Sequence, residues 1–216
     1  MGDINAIFKS YDIRGLYPQE IDEEVCINVG CAFAKFLLEE DPQTTKIIVG
    51  VDMRLSSESL SDHFIKGILS VGLDVIHLGL SSTDMLYYAS GSLGAPGAIF
   101  TASHNPAEYN GIKLCRAYAV PIGEGSGLER IKNLSSTVIQ IPDESNGAVT
   151  HVDLLEGFTD HILSFVKPEV ITGKKIVADT ANGMGGLIVP SVFAQIPSEV
   201  DILYGCLLYT SDAADD

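Results

Sequence analysis

The sequence predicts an α/β fold in which a layered mixed sheet is covered by helices on both faces. Short β-branched runs, typical of buried strands, alternate along the chain with longer segments whose apolar residues recur at helical spacing. Hydrophobic residues make up 46% of the 216 residues and charged residues 19%, which is enough apolar material for a sizeable core. No apolar run approaches the length that spans a bilayer.

The first predicted helix spans residues 18–40. Apolar residues recur every three or four positions along it. Its first turns carry acids such as Glu20 and Asp22, where the helix dipole favours negative charge. The pair Asp41-Pro42 ends it, because proline cannot continue a helix.

The remaining elements are predicted from the same two patterns, β-branched runs for strands and helical apolar spacing for helices. Gly72 is the predicted stop of the second helix. In chain order they are a strand at 46–51, a helix starting at Ser56 or Ser57, a strand at 73–78, a short helix at 83–89, strands at 98–101 and 112–115, a helix at 152–166, a strand at 174–179, a helix at 187–196 and a strand from 200 to 204.

A domain boundary is predicted within residues 135–150, which lose apolar periodicity and gather Ser, Pro, Gly and Asn. The first domain therefore spans 1–148, and the opening of a second domain spans 149–205. The Gly-rich residues 179–186 lack both the G-x-G-x-x-G and the G-K-[ST] spacing. We interpret them as a tight strand-to-helix connection.

The charge and cysteine content exclude several classes of partner. The chain has 13 Lys and Arg against 29 Asp and Glu, a formal net charge of −16. A surface this negative repels nucleic acids and anionic membranes, although a local Arg or Lys can still hold a small phosphate. The cysteines form no C-x-x-C pair and no secretory signal is visible, which predicts reduced thiols and a cytoplasmic protein.

The most informative segment is Thr-Ala-Ser-His-Asn-Pro at 101–106, followed by Tyr-Asn-Gly-Ile-Lys at 109–113. It follows a buried strand, so it is expected at the carboxyl edge of the sheet, where ligands usually bind. Ser103 and His104 are adjacent, which is poor spacing for a hydrolase pair, but a serine that accepts a phosphoryl group fits, with His104 or Lys113 as the acid/base. An ordinary turn between two strands is the alternative interpretation.

Two further segments have features that favour binding of an anion. Arg14 precedes a glycine, and its fork of donors matches a phosphate; a surface pair with Asp12 is the alternative. Residues 50–57 follow a strand and begin a helix, whose N-terminus attracts anions. A plain N-cap with Arg54 paired to Asp52 is the alternative there.

Taken together and in order, five segments resemble the α-D-phosphohexomutase family, in particular its phosphomannomutase/phosphoglucomutase branch. The resemblance runs from about residue 7 to residue 205. The segments are Tyr-Asp-Ile-Arg-Gly at 11–15, Gly-x-Asp-x-Arg-x-Ser-Ser at 50–57, the two at 101–106 and 109–113, and Asp-x-Ala-Asn-Gly-x-Gly at 179–185.

The resemblance implies an enzyme that interconverts hexose 1-phosphates and hexose 6-phosphates through a bisphosphorylated sugar. By match, Ser103 is the phosphoserine, and its phosphoryl group also ligates Mg²⁺. His104 and Lys113 match the candidate acid/base groups, and Arg14 matches a catalytic residue of the site. Mannose and glucose are both compatible with the matched residues.

Substrate contacts are implied for Tyr11, Asn105 and Asn110, with hexose phosphate and hexose bisphosphate as ligands. We expect Arg14, His104 and Lys113 to converge on Ser103. We also expect backbone N–H groups of its loop to point toward the hydroxyl, as a bound phosphate requires.

The chain departs from the family after its first domain. The family has four domains, and this sequence matches the first and the opening of the second. The D-x-D-x-D metal loop, the sugar-reading loop and the phosphate clamp of the later domains are absent from it. We therefore expect an N-terminal fragment that is inactive by itself. A phosphoglucosamine mutase fragment and a non-catalytic phosphosugar-binding module are the alternatives.

Residues 206–216 resemble the conceptual translation of a sequencing adapter, and a natural divergent tail is the alternative. Such a tail is expected to pack poorly against the core. Its apolar residues Leu207, Leu208 and Tyr209 could nevertheless prolong the preceding strand.

Overall fold

The computed structural model describes residues 4–136 and 147–207. The chain divides into two compact units, Met1–Val152 and Asp153–Asp216. The strand Val149–His151, which the sequence analysis placed at the start of the second domain, pairs with a strand of the first unit. Within the described residues, no helix is long and apolar enough to cross a membrane.

The first unit follows the predicted alternation of strands and helices. Its elements are α1 (Ile4–Ile7), β1 (Ile13–Leu16), α2 (Glu23–Glu40), β2 (Lys46–Val51), α3 (Ser57–Leu69), β3 (Asp74–Leu80), α4 (Thr83–Leu93), β4 (Gly97–Phe100), β5 (Tyr109–Arg116), β6 (Val120–Ile122), α5 (Leu128–Ser135) and β7 (Val149–His151), with a 3-10 turn at Ala117–Ala119.

The strands form one mixed sheet in the order β1-β5-β4-β2-β3-β7. The pairs β2/β3, β2/β4 and β3/β7 are parallel. Strand β5 is antiparallel to β1, β4 and β6. The predicted mixed α/β sheet is confirmed.

Helices cover both faces of this sheet. Alternate strand residues such as Val49 and Phe100 are buried in one core with α2, α3 and α5. On the opposite face, a Cβ added to Gly97 would come within 2.6 Å of Leu86 Cδ1, which places α4 against β4. The arrangement is the predicted layered one.

The topology places a switch point at the carboxyl ends of β2 and β4. The chain leaves β2 toward β3 on one side and leaves β4 toward β5 on the other. The two strand ends remain side by side, since the Asp52 N–H donates to the Phe100 carbonyl at 2.9 Å. Ligands of open α/β sheets bind at such switch points.

The first long helix begins later than predicted. Residues 17–20 form a turn, and α2 starts at Glu23 after the extended Asp22, whose Oδ1 accepts the Val25 N–H at 2.8 Å. This side-chain cap satisfies a donor that the helix leaves unpaired and so marks its start. The short β1 and the helix α5 were not predicted.

The second unit contains α6 (Leu155–Ser164), a 3-10 turn at Pro168–Val170, β8 (Lys175–Asp179), α7 (Gly185–Phe193) and β9 (Glu199–Leu203). Strands β8 and β9 are parallel, and Leu163, Val192 and Ile196 form a small core. Strand β9 ends at Leu203, so Leu207 does not prolong it. The expectations for Leu208 and Tyr209 lie outside the described residues.

Helices α2 and α3 cross at two facing glycines. A Cβ at Gly30 would overlap the Phe64 carbonyl oxygen, and a Cβ at Gly67 would overlap the Ile27 carbonyl oxygen. Because both obstacles are backbone atoms, a larger residue forces the helices apart. We predict that Gly67→Ala destabilises the first unit by about 1–3 kcal/mol, measured by urea unfolding.

Gly91→Ala is the matched control. This glycine lies in α4 with nothing within 4 Å of an added Cβ. Alanine there is expected to stabilise by roughly 0.5–1 kcal/mol, through its higher helix propensity. Equal effects of the two substitutions would contradict the close crossing.

Strand β7 is joined to β3 at a histidine pair. His77 faces His151 in register, with ring centroids 5.0 Å apart. Burial, and then the charge of His151, lower the pKa of His77, while Asp62 and Glu58 of α3 oppose that shift.

This pair predicts acid sensitivity. Because the folded pKa of His77 lies below its ordinary value near 6.5, the unfolded chain takes up the proton more readily. Stability should therefore fall as the pH drops below about 6.5. Urea midpoints at pH 7.5 and pH 5.5 measure the effect, which should be smaller in His77→Gln. An unchanged pH dependence in that variant would assign the effect to another group.

Candidate active site

The site is built on the loop 101–108, which joins β4 to the antiparallel β5 at the switch point. The loop is tight: the Thr101 N–H donates to the Gly111 carbonyl and the Asn105 N–H to the Ala102 carbonyl, both at 3.0 Å. Proline at 106 and the polar residues around it suit such a turn. The loop lies where the sequence placed it, after a buried strand at the carboxyl edge.

Ser103 is exposed at the top of this loop in a strained conformation. Its φ is +54°, in the left-handed region that side chains other than glycine rarely adopt. Its N–H donates to Thr101 Oγ1 at 3.0 Å, and its Oγ lies 3.4 Å from His104 Nδ1. Strain of this kind costs on the order of 1 kcal/mol and persists only where the surroundings impose it.

The side chain of Arg54 lies beneath the loop and binds its backbone. Its guanidinium is buried, with only 4% of the residue exposed. Nη1 donates to the carbonyls of residues 106 and 109, at 2.8 and 2.9 Å. Nη2 donates to the carbonyls of Ser103 and Asn105, at 2.9 and 2.6 Å. One side chain of the β2–α3 connection therefore holds the backbone of the whole loop.

The guanidinium is itself oriented by Asp52. Asp52 Oδ2 lies 3.4 Å from Arg54 Nε, and Oδ1 accepts the Arg54 N–H at 3.0 Å and the Ser57 hydroxyl at 2.6 Å. All three residues are buried. A buried charge requires such partners, because leaving it unpaired in a low dielectric is costly.

Asn110 connects the same two segments from β5. Its Nδ2 donates to the hydroxyls of Ser56 and Ser57, at 2.7 and 3.0 Å, and its Oδ1 accepts the Gly111 N–H at 2.7 Å. Asn110 is fully buried. Asn110, which was predicted to contact the substrate, therefore stabilises the 50–57 and 109–113 segments from inside the protein.

Two cationic side chains lie beside the loop and share one carboxylate. Arg14 Nη2 donates to both Asp12 oxygens, at 3.0 and 3.2 Å, and Lys113 Nζ lies 3.4 Å from Asp12 Oδ2. Arg14 Nη1 reaches the loop by donating to Asn105 Oδ1 at 2.6 Å. Both cations keep about 30% of their side chains exposed, as their values of 31% and 29% show.

Close backbone packing brings these strands together. Arg14 on β1 stands opposite Gly111 on β5. A Cβ at Gly111 would overlap the Ile13 carbonyl oxygen, so only glycine permits this approach. The arginine and the 101–108 loop are therefore neighbours.

The structure groups most of the predicted site residues. Arg14 and Lys113 meet at Asp12, Arg14 contacts Asn105, and His104 lies beside Ser103. Tyr11 precedes Asp12 in the chain and is 80% exposed.

One expectation about the loop needs correction. The N–H groups of Ser103 and Asn105 donate to loop acceptors, Thr101 Oγ1 and the Ala102 carbonyl, and not toward the Ser103 hydroxyl. The tight turn uses these two donors internally.

The supporting roles of Arg54, Asp52 and Asp12 in the site were not predicted from the sequence. Arg54 and Asp52 were interpreted as an N-cap pair or an anion site, and Asp12 as the partner of a surface arginine. Their ion pairs are present, but each carries a second function: Arg54 binds the distant loop, and Asp12 joins two cations. The sequence shows an arginine after a strand, but its burial, which demands these partners, is visible only in the structure.

The implied Mg²⁺ has few ligands in this part of the chain. Residues 4–136 and 147–207 contain no group of three or more His, Cys, Asp or Glu side chains that could hold a metal ion.

Fold and site together define an α/β protein that presents a strained serine, a histidine and two cations at the switch point of a mixed sheet. Residues 5–139 match the family described as phosphoglucomutase/phosphomannomutase, alpha/beta/alpha domain I. The chain belongs to this family.

Curated relatives agree with this assignment. The chain is 37% identical over 200 residues to the phosphomannomutase of Vibrio cholerae serotype O1. The match covers 91% of this chain and 43% of the relative. It is 35% identical over 191 residues to the phosphomannomutase of Escherichia coli strain K12, covering 87% and 41%. The chain thus spans less than half the length of these relatives.

Solved structures share the fold. A phosphoglucomutase/phosphomannomutase family protein from Burkholderia thailandensis superimposes with a TM-score of 0.82 at 24% identity, covering 96% of this chain and 45% of that protein. The open form of parafusin, a phosphoglucomutase from Paramecium, gives a TM-score of 0.71 at 16% identity, covering 94% and 43%.

The buried support predicts a stability effect at Asn110. In Asn110→Ala, the Ser56 and Ser57 hydroxyls lose a donor and the Gly111 N–H loses an acceptor, although Ser57 keeps its bond to Asp52. Unfolding free energy should fall by roughly 1–3 kcal/mol, measured by urea titration. Asn133→Ala, at an exposed position of α5, should change it by less than about 0.5 kcal/mol. Equal losses would contradict the supporting role.

Proposed function

We propose that this chain is the N-terminal part of a cytoplasmic phosphohexomutase that interconverts hexose 1-phosphate and hexose 6-phosphate, with mannose, glucose or both as the sugar. The reaction passes through a phosphoserine at position 103 and a bisphosphorylated sugar. The supporting observation is a serine held in a strained, exposed conformation on a loop whose Asn105 side chain binds Arg14, in a chain of the phosphoglucomutase/phosphomannomutase family.

The proposed transfer uses the Ser103 oxygen as the phosphoryl carrier. A free sugar hydroxyl attacks the phosphoserine phosphorus, the new sugar O–P bond forms and the Oγ–P bond breaks. The hydroxyl proton passes to His104 or Lys113. The bisphosphorylated sugar then returns its other phosphoryl group to Ser103, and the proton returns to the sugar oxygen that the phosphoryl group leaves.

Arg14 supplies positive charge at the transferring group, and Lys113 does the same where His104 is the base. Both are partly exposed, so they have room to meet an anion, and Asp12 holds them in place. Asn105, already bonded to Arg14, and the exposed Tyr11 are proposed to line the sugar. Asn110 supports these contacts from within the core.

The remaining parts of the site are proposed to come from outside this chain. A phosphoryl group on Ser103 would supply one Mg²⁺ ligand, and the other ligands and the sugar-reading loop would belong to later domains of the parent protein. Charge neutralisation and substrate positioning are each worth several kcal/mol of a barrier.

We therefore predict that the purified 216-residue chain has no mutase activity on mannose 1-phosphate or glucose 1-phosphate, even with Mg²⁺ and a hexose bisphosphate primer. The full-length parent should be active. Its Ser103→Ala variant should lose activity by roughly 10³-fold or more, because the phosphoryl carrier is gone. A coupled assay of hexose 6-phosphate formation measures all three.

Ser136→Ala is the matched control, at an exposed serine after α5, and should leave the parent's activity unchanged. Turnover by the chain at the parent's rate would show that the missing domains are dispensable. Full activity in Ser103→Ala would refute the phosphoserine assignment. A parent that binds hexose phosphate without turnover would favour the binding module.

A further inference from the structure

We propose that Arg54 is the positioning residue for Ser103: its buried guanidinium sets the conformation in which the serine carries a phosphoryl group. The proposal rests on the proposed function of Ser103 and adds a residue to it. Arg54 is buried beneath the loop, so its effect passes through the loop backbone.

The geometry of the four hydrogen bonds supports this role. Nη1 binds the carbonyls of residues 106 and 109, and Nη2 binds those of Ser103 and Asn105, at 2.6 to 2.9 Å. Three acceptors from the loop and one from the first residue of β5 converge on a single planar group. The fork of an arginine matches such a set, whereas a lysine offers one compact ammonium.

The bond to the Ser103 carbonyl controls the orientation of the reactive groups. It fixes the peptide between Ser103 and His104, on which the 3.4 Å approach of Oγ and Nδ1 depends. The bond to the Asn105 carbonyl fixes the residue whose side chain receives Arg14. Nucleophile, histidine and arginine are thus aligned through one group.

The same bonds also organise the charges. The carbonyl dipoles turn their negative ends toward Arg54, away from the exposed side of the loop where Ser103 stands. A phosphoryl group on Ser103 then avoids repulsion from carbonyl oxygens. Without the guanidinium, these oxygens would have to find other donors, and the left-handed Ser103 would relax.

The test uses phosphoserine installed at position 103 of the 216-residue chain by genetic encoding, with ³¹P NMR as the readout. The wild-type resonance should differ from that of the urea-unfolded chain. Arg54→Lys and Arg54→Met should each move it at least halfway to the unfolded position, with far-UV circular dichroism reporting on folding. An unchanged resonance in folded Arg54→Lys or Arg54→Met overturns the proposal.

Two control variants separate positioning from stability. Ile68→Ala removes core packing at the far end of α3 and should lower the thermal midpoint without moving the resonance. Arg130→Met breaks an exposed pair with Glu39 and should change neither. If the Arg54 variants do not fold, Asp52→Asn, which loosens the guanidinium, should move the resonance the same way, and an unmoved resonance there counts against the proposal.

Kinetics of the full-length parent supply the second readout. Arg54→Lys should lower kcat by about 10²-fold, because a misplaced nucleophile of this kind loses rate, while KM stays within about threefold. A large rise in KM with unchanged kcat would overturn the positioning role. The ³¹P result does not depend on turnover, whereas Ser103→Ala tests the phosphoserine itself, so the two proposals can fail separately.

Discussion

The buried guanidinium of Arg54 is the interaction on which the site depends. Taking a charged group out of water costs several kcal/mol unless it is paired and hydrogen-bonded. Here the pairing partner is Asp52, and the hydrogen-bond acceptors are the carbonyls of the 101–109 segment. The loop cannot relax without leaving that charge unsatisfied. Because the buried Arg54 charge requires these acceptors, it also constrains the conformation of Ser103.

The sheet topology makes this interaction possible. Parallel pairing of β2 and β4 brings Asp52 beside Phe100, so the connection that carries Arg54 starts next to the connection that carries Ser103. The antiparallel return of β5 then places Asn110 under Ser56 and Ser57. Strands β4 and β5 thus supply the serine loop and its support, and the distant β2 supplies its anchor.

Sequence periodicity predicted most of this framework, because strands β2 to β5 and helices α2 to α4 have clear apolar patterns. It missed β1, whose four residues include Arg14 and Gly15 and show no apolar run. It also placed the start of α2 too early, since only the side-chain cap of Asp22 distinguishes turn from helix there.

The site was predicted less completely, for a physical reason. Motifs mark side chains of the kinds that act on ligands, such as those proposed for this site, Ser103 and Arg14. Arg54 acts on backbone carbonyls about fifty residues away, and carbonyls are present in every residue, so no sequence signal names them as partners. Asn110 has the residue type of a ligand contact, but its burial follows from the register of β5, which sequence alone does not specify.

The charge distribution determines how such a site can bind an anion. The net charge of −16 repels a phosphate at long range, but screening limits that effect to about 8 Å at physiological ionic strength. Binding then rests on donors in direct contact. Asp12 holds Arg14 and Lys113 together while neutralising only one of their two charges, so the cations are ordered before an anion arrives. Ordering in advance removes a cost that flexible surface lysines would incur on binding, so a carboxylate is compatible with the proposed phosphate site.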